Sequence, residues 1–336
     1  MRATRYSLIA ISFGFLTCFG QPGAKAATLQ SVQARGHLVC GVRLDQPAIA
    51  VVDVHGKHAG FEIDICRAMA IAIFGAPDRV RFVPVEYIHE FTSDPTIDVI
   101  LHGLTHTLER ERRFDIDFSR IYFHDGQAFM VHTASGIQSL DQLRGKRVCL
   151  NEGGEAEKNL KKYADGKFVA VLFAEDKEAQ DKFLAGQCDA YTADISLMIS
   201  MVYGKPASSA DYQVLPEKIS KEPLSGITRR SDRELGSLLN ATLAVIVEAE
   251  ERGITAANIR EQGDPENAKK LASFLDWAGM PMPSLPSDWA LRIIQKLGNY
   301  GEIYERNLAK ADEYGIHRGL NATWKSGGLL YALPMH

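Results

Sequence analysis

Leu38-Val39-Cys40-Gly41-Val42, then Phe61-Glu62-Ile63-Asp64-Ile65-Cys66-Arg67-Ala68-Met69-Ala70, then Val80-Arg81-Phe82-Val83-Pro84-Val85 is the stretch that decides the fold. The first and last runs are short, apolar and β-like. The middle run repeats its apolar residues at helical spacing. Asp98-Val99-Ile100-Leu101 reads as a further strand. Strands alternating with helices imply parallel βαβ units, with the sheet buried between helices.

The pattern restarts further along. Ser139 to Leu143 suits a short capped helix, Lys146 to Leu150 a strand, and Gly153-Gly154 opens a helix running through Leu160 and Tyr163. Phe168 to Phe173, Ala179 to Leu184 and Asp189 to Thr192 read as strand, helix, strand. The second α/β unit thus begins near residue 133. Helices return after Asp232 with the periodic run Leu235 to Glu250. Pro281, Pro283 and Pro286 punctuate the next stretch, and Ser287-Asp288 caps a helix through Leu297.

The 336 residues are 46% hydrophobic and 24% charged, with a formal net charge of −4. That is enough for one large or two medium domains with real cores. No basic face suggests a nucleic-acid partner. Arg2 and Arg5 precede an apolar run from Leu8 to Phe19, followed by Pro22 and Ala24-Lys25-Ala26. This is the layout of a secretory leader cut after Ala26. The run is shorter than the roughly 20 residues of a membrane-spanning helix. A lipoprotein reading through Cys18 is weakened by Thr17, where a smaller residue is usual.

Past the leader stand Cys40, Cys66, Cys149 and Cys188. An even count in an oxidising compartment reads as disulfides. Of the three pairings, Cys40–Cys66 with Cys149–Cys188 keeps one bridge in each half. Zinc is the rival reading, but no CxxC or HxxxH-type cluster surrounds them.

Four segments could carry function. Gly103-Leu104-Thr105-His106-Thr107-Leu108-Glu109-Arg110 follows a buried strand, where open α/β sheets bind ligands. The Thr105 hydroxyl and Arg110 guanidinium suit a carboxylate, although a mixed charge run through Arg113 also suits a solvated helix start. Asp115 to Ser119, with Ile121-Tyr122, looks like an edge strand leading to a crossover. Asn151-Glu152-Gly153-Gly154-Glu155 lies at a helix N-terminus, where free N–H groups attract anions. Cys188 to Asp194 ends in a carboxylate that could hold an ammonium or cap the next helix. His102 and His106 flank the first segment; scattered loop histidines fix no metal geometry.

Together with Ala59-Gly60-Phe61-Glu62-Ile63-Asp64-Ile65-Cys66, Tyr122-Phe123-His124-Asp125-Gly126-Gln127, Gly186-Gln187-Cys188-Asp189, Ile219-Ser220-Lys221-Glu222-Pro223-Leu224, Gly298 to Asn307 and Arg318-Gly319-Leu320-Asn321, these segments carry a resemblance over nearly the whole chain. The sequence resembles the family 3 periplasmic solute-binding proteins of ABC importers, most closely their general L-amino-acid-binding branch. The resemblance implies a two-lobed α/β fold of periplasmic binding protein type II, with two crossovers near Gln127–His132 and Leu224–Arg229. Lobe 1 would comprise 28–130 plus 227–336 with a C-terminal helical extension, and lobe 2 131–226. It implies that Arg110 and Thr105 hold a ligand carboxylate and Asp194 its ammonium, with Gly103, His106, Gly154 and Glu155 around them. It also implies a periplasmic monomer that serves an ABC permease and needs no metal or cofactor.

The sequence departs from the family at Gly153-Gly154-Glu155, where Gly-Thr-Thr is usual, at Gly103, Leu104 and His106, at Pro95, and at Ile49. Glu155 is expected to face the cleft and favour a cationic or non-carboxylate ligand. Two other classes stay open. One is an enzyme on the same scaffold resembling cyclohexadienyl dehydratases, with Glu155 or Glu152 as general acid. The other is an accessory periplasmic protein without transport.

Overall fold

The computed structural model describes residues 28–164, 166–204, 208, 210–261, 265–278, 282 and 284–333. The leader, Pro281 and Pro283 lie outside the described residues. Two five-stranded sheets and a small three-stranded one carry the fold. In the first sheet the order is Val80–Pro84, Leu38–Val42, Val99–Ile100, Glu222–Arg229, Ile116–Asp125. In the second it is Val169–Phe173, Arg147–Asn151, Ala190–Asp194, Gln127–His132, Tyr212–Val214. The first three strands of each sheet are parallel, and the fourth is antiparallel to the third.

That fourth strand is an exchange. Gln127–His132 follows directly from the first sheet's edge strand but joins the second sheet, whereas Glu222–Arg229 returns from the second to the first. The two passing segments run side by side: Glu222 is in register with Asp125, and the Gln127 N–H donates to Ser220 Oγ at 2.9 Å. A Cβ on Gly126 would stand 2.8 Å from the Ser220 carbonyl oxygen. Only glycine lets the two segments approach this closely.

Leu38–Val42 is buried along its full length, as a parallel strand covered on both faces must be. Helix Phe61–Phe74 is buried almost all round, so it is a core element rather than an amphipathic surface one. Gly60, at φ +132, starts it, because a Cβ there would lie 2.3 Å from the Ile49 carbonyl oxygen. Gly75, at φ +71, ends it in the left-handed conformation. Helices Arg233–Glu251, Trp289–Leu297 and Tyr300–Leu308 pack around it. Asp288 takes the N-cap position of the second of these, but its carboxylate bonds Arg292 Nε at 2.7 Å instead of the helix backbone. Around Leu140–Leu143 the expected turn is a 3-10 helix, with Ser139 and Gln142 closing a capping box.

Cys40 is bonded to Cys66 and Cys149 to Cys188. Each bridge starts from a strand: Cys40 reaches helix Phe61–Phe74, 26 residues on, and Cys149 reaches the loop before strand Ala190–Asp194, 39 residues on. Closing loops of that length in the unfolded chain is worth about 3–4 kcal/mol each in the chain-entropy account.

The C-terminal region straps the first sheet to the crossing. Arg306 Nε and Asn307 Nδ2 donate to Asp64 Oδ2 at 2.7 and 2.9 Å. Arg318 makes two parallel bonds of 2.7 Å to Glu250 while lying over the Tyr300 and Tyr304 rings. Asn321 then bonds both backbone groups of His124, at 2.6 and 3.2 Å, two residues before the first crossing. Among the described residues no helix is long and apolar enough to cross a membrane.

Candidate ligand cleft

Parallel strands of both sheets end toward the space between them, and the loops that leave those ends supply the polar groups. Thr105, Arg110, Gly154 and Glu155 line one cleft of about 780 Å³ between the two halves, together with Arg43, Lys158 and Glu222. Thr105 forms a β-bridge with Leu224. Its hydroxyl donates to Glu222 Oε2 at 2.9 Å, and Glu222 Oε1 accepts from Asn159 Nδ2 at 3.3 Å. Glu222 therefore ties the Thr105 loop to helix Glu155–Ala164 of the second sheet.

Arg110 sits in the first turn of helix Leu108–Arg113, which the Thr107 side chain caps. Its guanidinium donates to the Thr105 carbonyl at 2.6 Å. Among the described residues no carboxylate pairs with it, so most of its fork is free for an anion.

Gly154 begins the opposite wall. A Cβ at this position would meet the end of the Asn151 side chain at 2.8 Å, so that side chain would have to shift to admit one. The helix N-terminus behind it already holds an internal anion: the Gly153 N–H donates to Glu157 Oε2 at 2.7 Å. Glu155 faces the cleft, exposed, and pairs with Lys158 at 2.7 Å.

Asp194 ends the strand Ala190–Asp194 and is part-buried. Its side chain has no hydrogen-bond or ion-pair partner among the described residues. Its carboxyl is held well above the usual range by burial, then by the charges of Asp125, Glu222, Asp176 and Glu155. Glu155 and Glu222 line the larger cleft, whereas Asp176 lines a neighbouring cavity of about 370 Å³. Arg43 lines both cavities. Asp194 is thus a carboxyl near the junction whose ionisation burial and the neighbouring carboxylates oppose, with no cation beside it among the described residues; it does not itself line the larger cleft. The next helix is capped from another strand, since the Ser196 N–H donates to Asp125 at 3.3 Å. Burial also pushes Asp125 up, to about 6.

Gly103 and His106 do not join the cleft. Gly103 adopts φ +67, and its N–H donates to Glu62 Oε1 at 2.6 Å and to Tyr122 Oη at 3.2 Å. Glu62 is buried, also accepts from the Tyr122 hydroxyl, and leaves Oε2 without a partner among the described residues. Burial pushes its carboxyl up to about 7, against the pull of the Tyr122 and Gly103 bonds. His106 stacks on Phe118 at 4.1 Å and pairs with Glu111 at 3.2 Å. It lines a separate cavity, beside the edge strand Ile116–Asp125. His102 is buried, and burial pulls it down to about 4.

Residues 38–256 match the family model of bacterial extracellular solute-binding proteins, family 3. The chain belongs to that family. It is 37% identical to the glutamate/glutamine/aspartate/asparagine-binding protein BztA of Rhodobacter capsulatus, over 93% of this chain and 94% of that protein. It is 35% identical to the general L-amino acid-binding periplasmic protein AapJ of Rhizobium johnstonii, over 94% and 95%. A solved periplasmic binding protein from Brucella ovis with glutathione bound superposes with a TM-score of 0.78, at 34% identity, covering 92% of this chain and all of that one. The two sheets are therefore the lobes of the two-lobed binding-protein fold, and the space between them is where this family's solute cleft lies.

Arg43, Glu222, Asp125 and Asp176 are not among the residues that the sequence leads one to expect in the site. Arg43 follows the first buried strand immediately, so the rule that draws attention to Arg110 applies to it as well.

Proposed function

We propose that this chain is the receptor component of an amino-acid importer. It captures a molecule with a free α-amino-acid end, closes around it, and presents it to an ABC permease of the inner membrane. The observation that supports this reading is polarity about the inter-lobe space: among the described residues, a guanidinium without a carboxylate partner at Arg110 in the cleft wall of one lobe, and, near the junction on the other, the Asp194 carboxyl with no cation beside it. A zwitterion supplies both missing charges at once. Its carboxylate goes to Arg110 and its ammonium to the field of Asp194 and Glu222.

The relatives support this class of ligand. Glutamate, glutamine, aspartate, asparagine and glutathione all retain an α-amino and an α-carboxyl group on one carbon. A ligand that bridges the lobes favours their approach, and this is the hinge closure by which binding becomes a shape. The strand exchange at Gly126 and between Val214 and Glu222 supports a division near 28–130 plus 227–336 and 131–226, each switch lying a few residues upstream of the expected one. The amphiphilic leader supports export to the periplasm, and we take the working unit to be a monomer. Glu152 and Glu155 are both exposed and Glu155 is ion-paired, so the reading is of a binder, not a dehydratase.

A thermal-shift panel on the mature chain tests it. L-glutamate, L-glutamine, L-arginine and glutathione are the probes. At least one is expected to raise the melting temperature, because a ligand that binds only the native form stabilises it by mass action. If none of these, nor any other common L-amino acid, moves the transition, the reading fails.

A further inference from the structure

Lobe 1 holds a second cavity of about 530 Å³, between strand Ile116–Asp125, helix Arg233–Glu251 and the segment 329–333, that shares no lining residue with the cleft. Arg120 lines it. The Arg120 backbone is fully engaged: its N–H donates to Asn240 Oδ1 at 2.7 Å, and its carbonyl accepts from Ser119 Oγ at 2.7 Å. The guanidinium makes no hydrogen bond and no ion pair among the described residues. Burial lowers its basicity, and among the described residues the titratable group whose charge it feels is the Tyr331 phenol.

A half-buried guanidinium without a counter-ion is costly, since desolvated charges in proteins are ordinarily paired. Leu243, Ala244, Val247 and Leu330 give the cavity an apolar floor. The other titratable groups facing it are His106, already paired with Glu111, and His124, which burial holds below its ordinary value. Among the described residues no carboxylate lines the cavity. Tyr331 stands exposed at its mouth. An amino acid is a poor match for this lining, because no carboxylate faces its ammonium.

We infer that this cavity is a second binding site, independent of the inter-lobe cleft, for a small monocarboxylate with an aliphatic or aromatic body. The carboxylate takes two parallel bonds from Arg120, and the body lies on Leu243 and Val247. The inference uses only lobe 1 and holds whatever the cleft binds.

The test uses 4-fluorophenylacetate followed by fluorine NMR, with hexanoate as competitor. The proteins are the full mature chain and its Arg120→Gln, Arg120→Lys and Arg110→Ala variants. Saturable binding is expected in the parent, displaced by hexanoate and unchanged within about twofold by Arg110→Ala. Arg120→Gln should weaken it by about tenfold or more, with Arg120→Lys between, because lysine keeps the charge and loses the fork. Arg120 has no side-chain partner to lose among the described residues, so both variants should melt with the parent. No saturation on the order of 10 mM would mean that Arg120 is merely solvated. Loss of binding in Arg110→Ala would put the probe in the cleft, and retention in Arg120→Gln would put it elsewhere. Each of these overturns the inference.

Discussion

Glu222 accepts the Thr105 hydroxyl at 2.9 Å. With Asn159 on its other oxygen, this one carboxylate joins the Thr105 loop of the first lobe, the returning crossover and a helix of the second lobe. Thr105 therefore spends its proton on Glu222, so in the proposed binding mode the donor to a ligand carboxylate on this wall is Arg110. The charge of Glu222 is meanwhile felt at Asp194, so in the proposed binding mode at least two carboxyl groups stand on the side of the ligand ammonium.

Removing the Arg110 fork should cost affinity and little else. A charge-assisted bond is worth about 1.5–3 kcal/mol, so Arg110→Ala should weaken ligand binding by about 10- to 100-fold in calorimetry. The melting temperature of the free protein should stay close to the parent's, because the bond this side chain makes within the fold is to the Thr105 carbonyl. A variant that melts far below the parent would assign Arg110 to the fold instead.

Neutralising Glu222 should be visible at Asp194. Like charges nearby raise a carboxyl's pKa by disfavouring its ionised form. Glu222→Gln keeps a hydrogen-bonding side chain but removes one of those charges. Carbon-detected NMR titration of the Asp194 carboxyl should show its pKa falling toward the ordinary range. An unchanged titration would mean that burial and Asp125 account for the whole effect.

Glu155 should modulate selectivity weakly. It faces the cleft, but its side chain is 62% exposed and Lys158 sits at 2.7 Å, so solvent and lysine both screen it. Glu155→Ala should shift the glutamate-to-glutamine affinity ratio toward glutamate by only a few-fold. A change of about a hundredfold would show that the carboxylate contacts the ligand directly.

Stability should fall as pH rises through the range set by Glu62. Its folded pKa is raised, from 4.5 to about 7, so between those values the folded protein binds more protons than the unfolded chain. The slope of unfolding free energy with pH is then negative. The carboxyl adds no penalty below 4.5 and its full penalty above about 7, a loss of about 3 kcal/mol for this buried group. Asp125 contributes with the same sign, so the comparison that isolates Glu62 is with Glu62→Gln. In urea titrations at pH 4.5 and pH 8 the parent should lose about 3 kcal/mol more than that variant. Parallel losses in the two proteins would contradict the assignment.

Much of the fold and part of the cleft lining are legible in the sequence, for reasons that differ from residue to residue. The buried strand Leu38–Val42 and helix Phe61–Phe74 have apolar periodicity too strong to misread. The disulfide pairing is legible because the local solution closes the shortest loops. Arg110 stands out because it follows a buried strand, and Arg43 escapes notice although it does the same. His106 is a failure of a different kind. In an extended segment successive side chains point to opposite faces, so Thr105 and Thr107 reach the cleft while His106 between them stacks on Phe118. Gly103 reads as a ligand position, but its positive φ serves the turn and its N–H is taken by Glu62. Glu222 lies in a motif that the sequence marks only by its order. Nothing local distinguishes it, because its importance comes from the chain returning beside Asp125 after the whole second lobe has been built.

The most direct measurement is a crystal structure of the mature protein with whichever amino-acid-like probe most raises its melting temperature. The ligand carboxylate is expected about 3 Å from the Arg110 guanidinium, with its ammonium on the Asp194 and Glu222 side and both lobes in contact with it. A ligand seated outside the space between the lobes, or one inside it with Arg110 turned to solvent, would contradict the account.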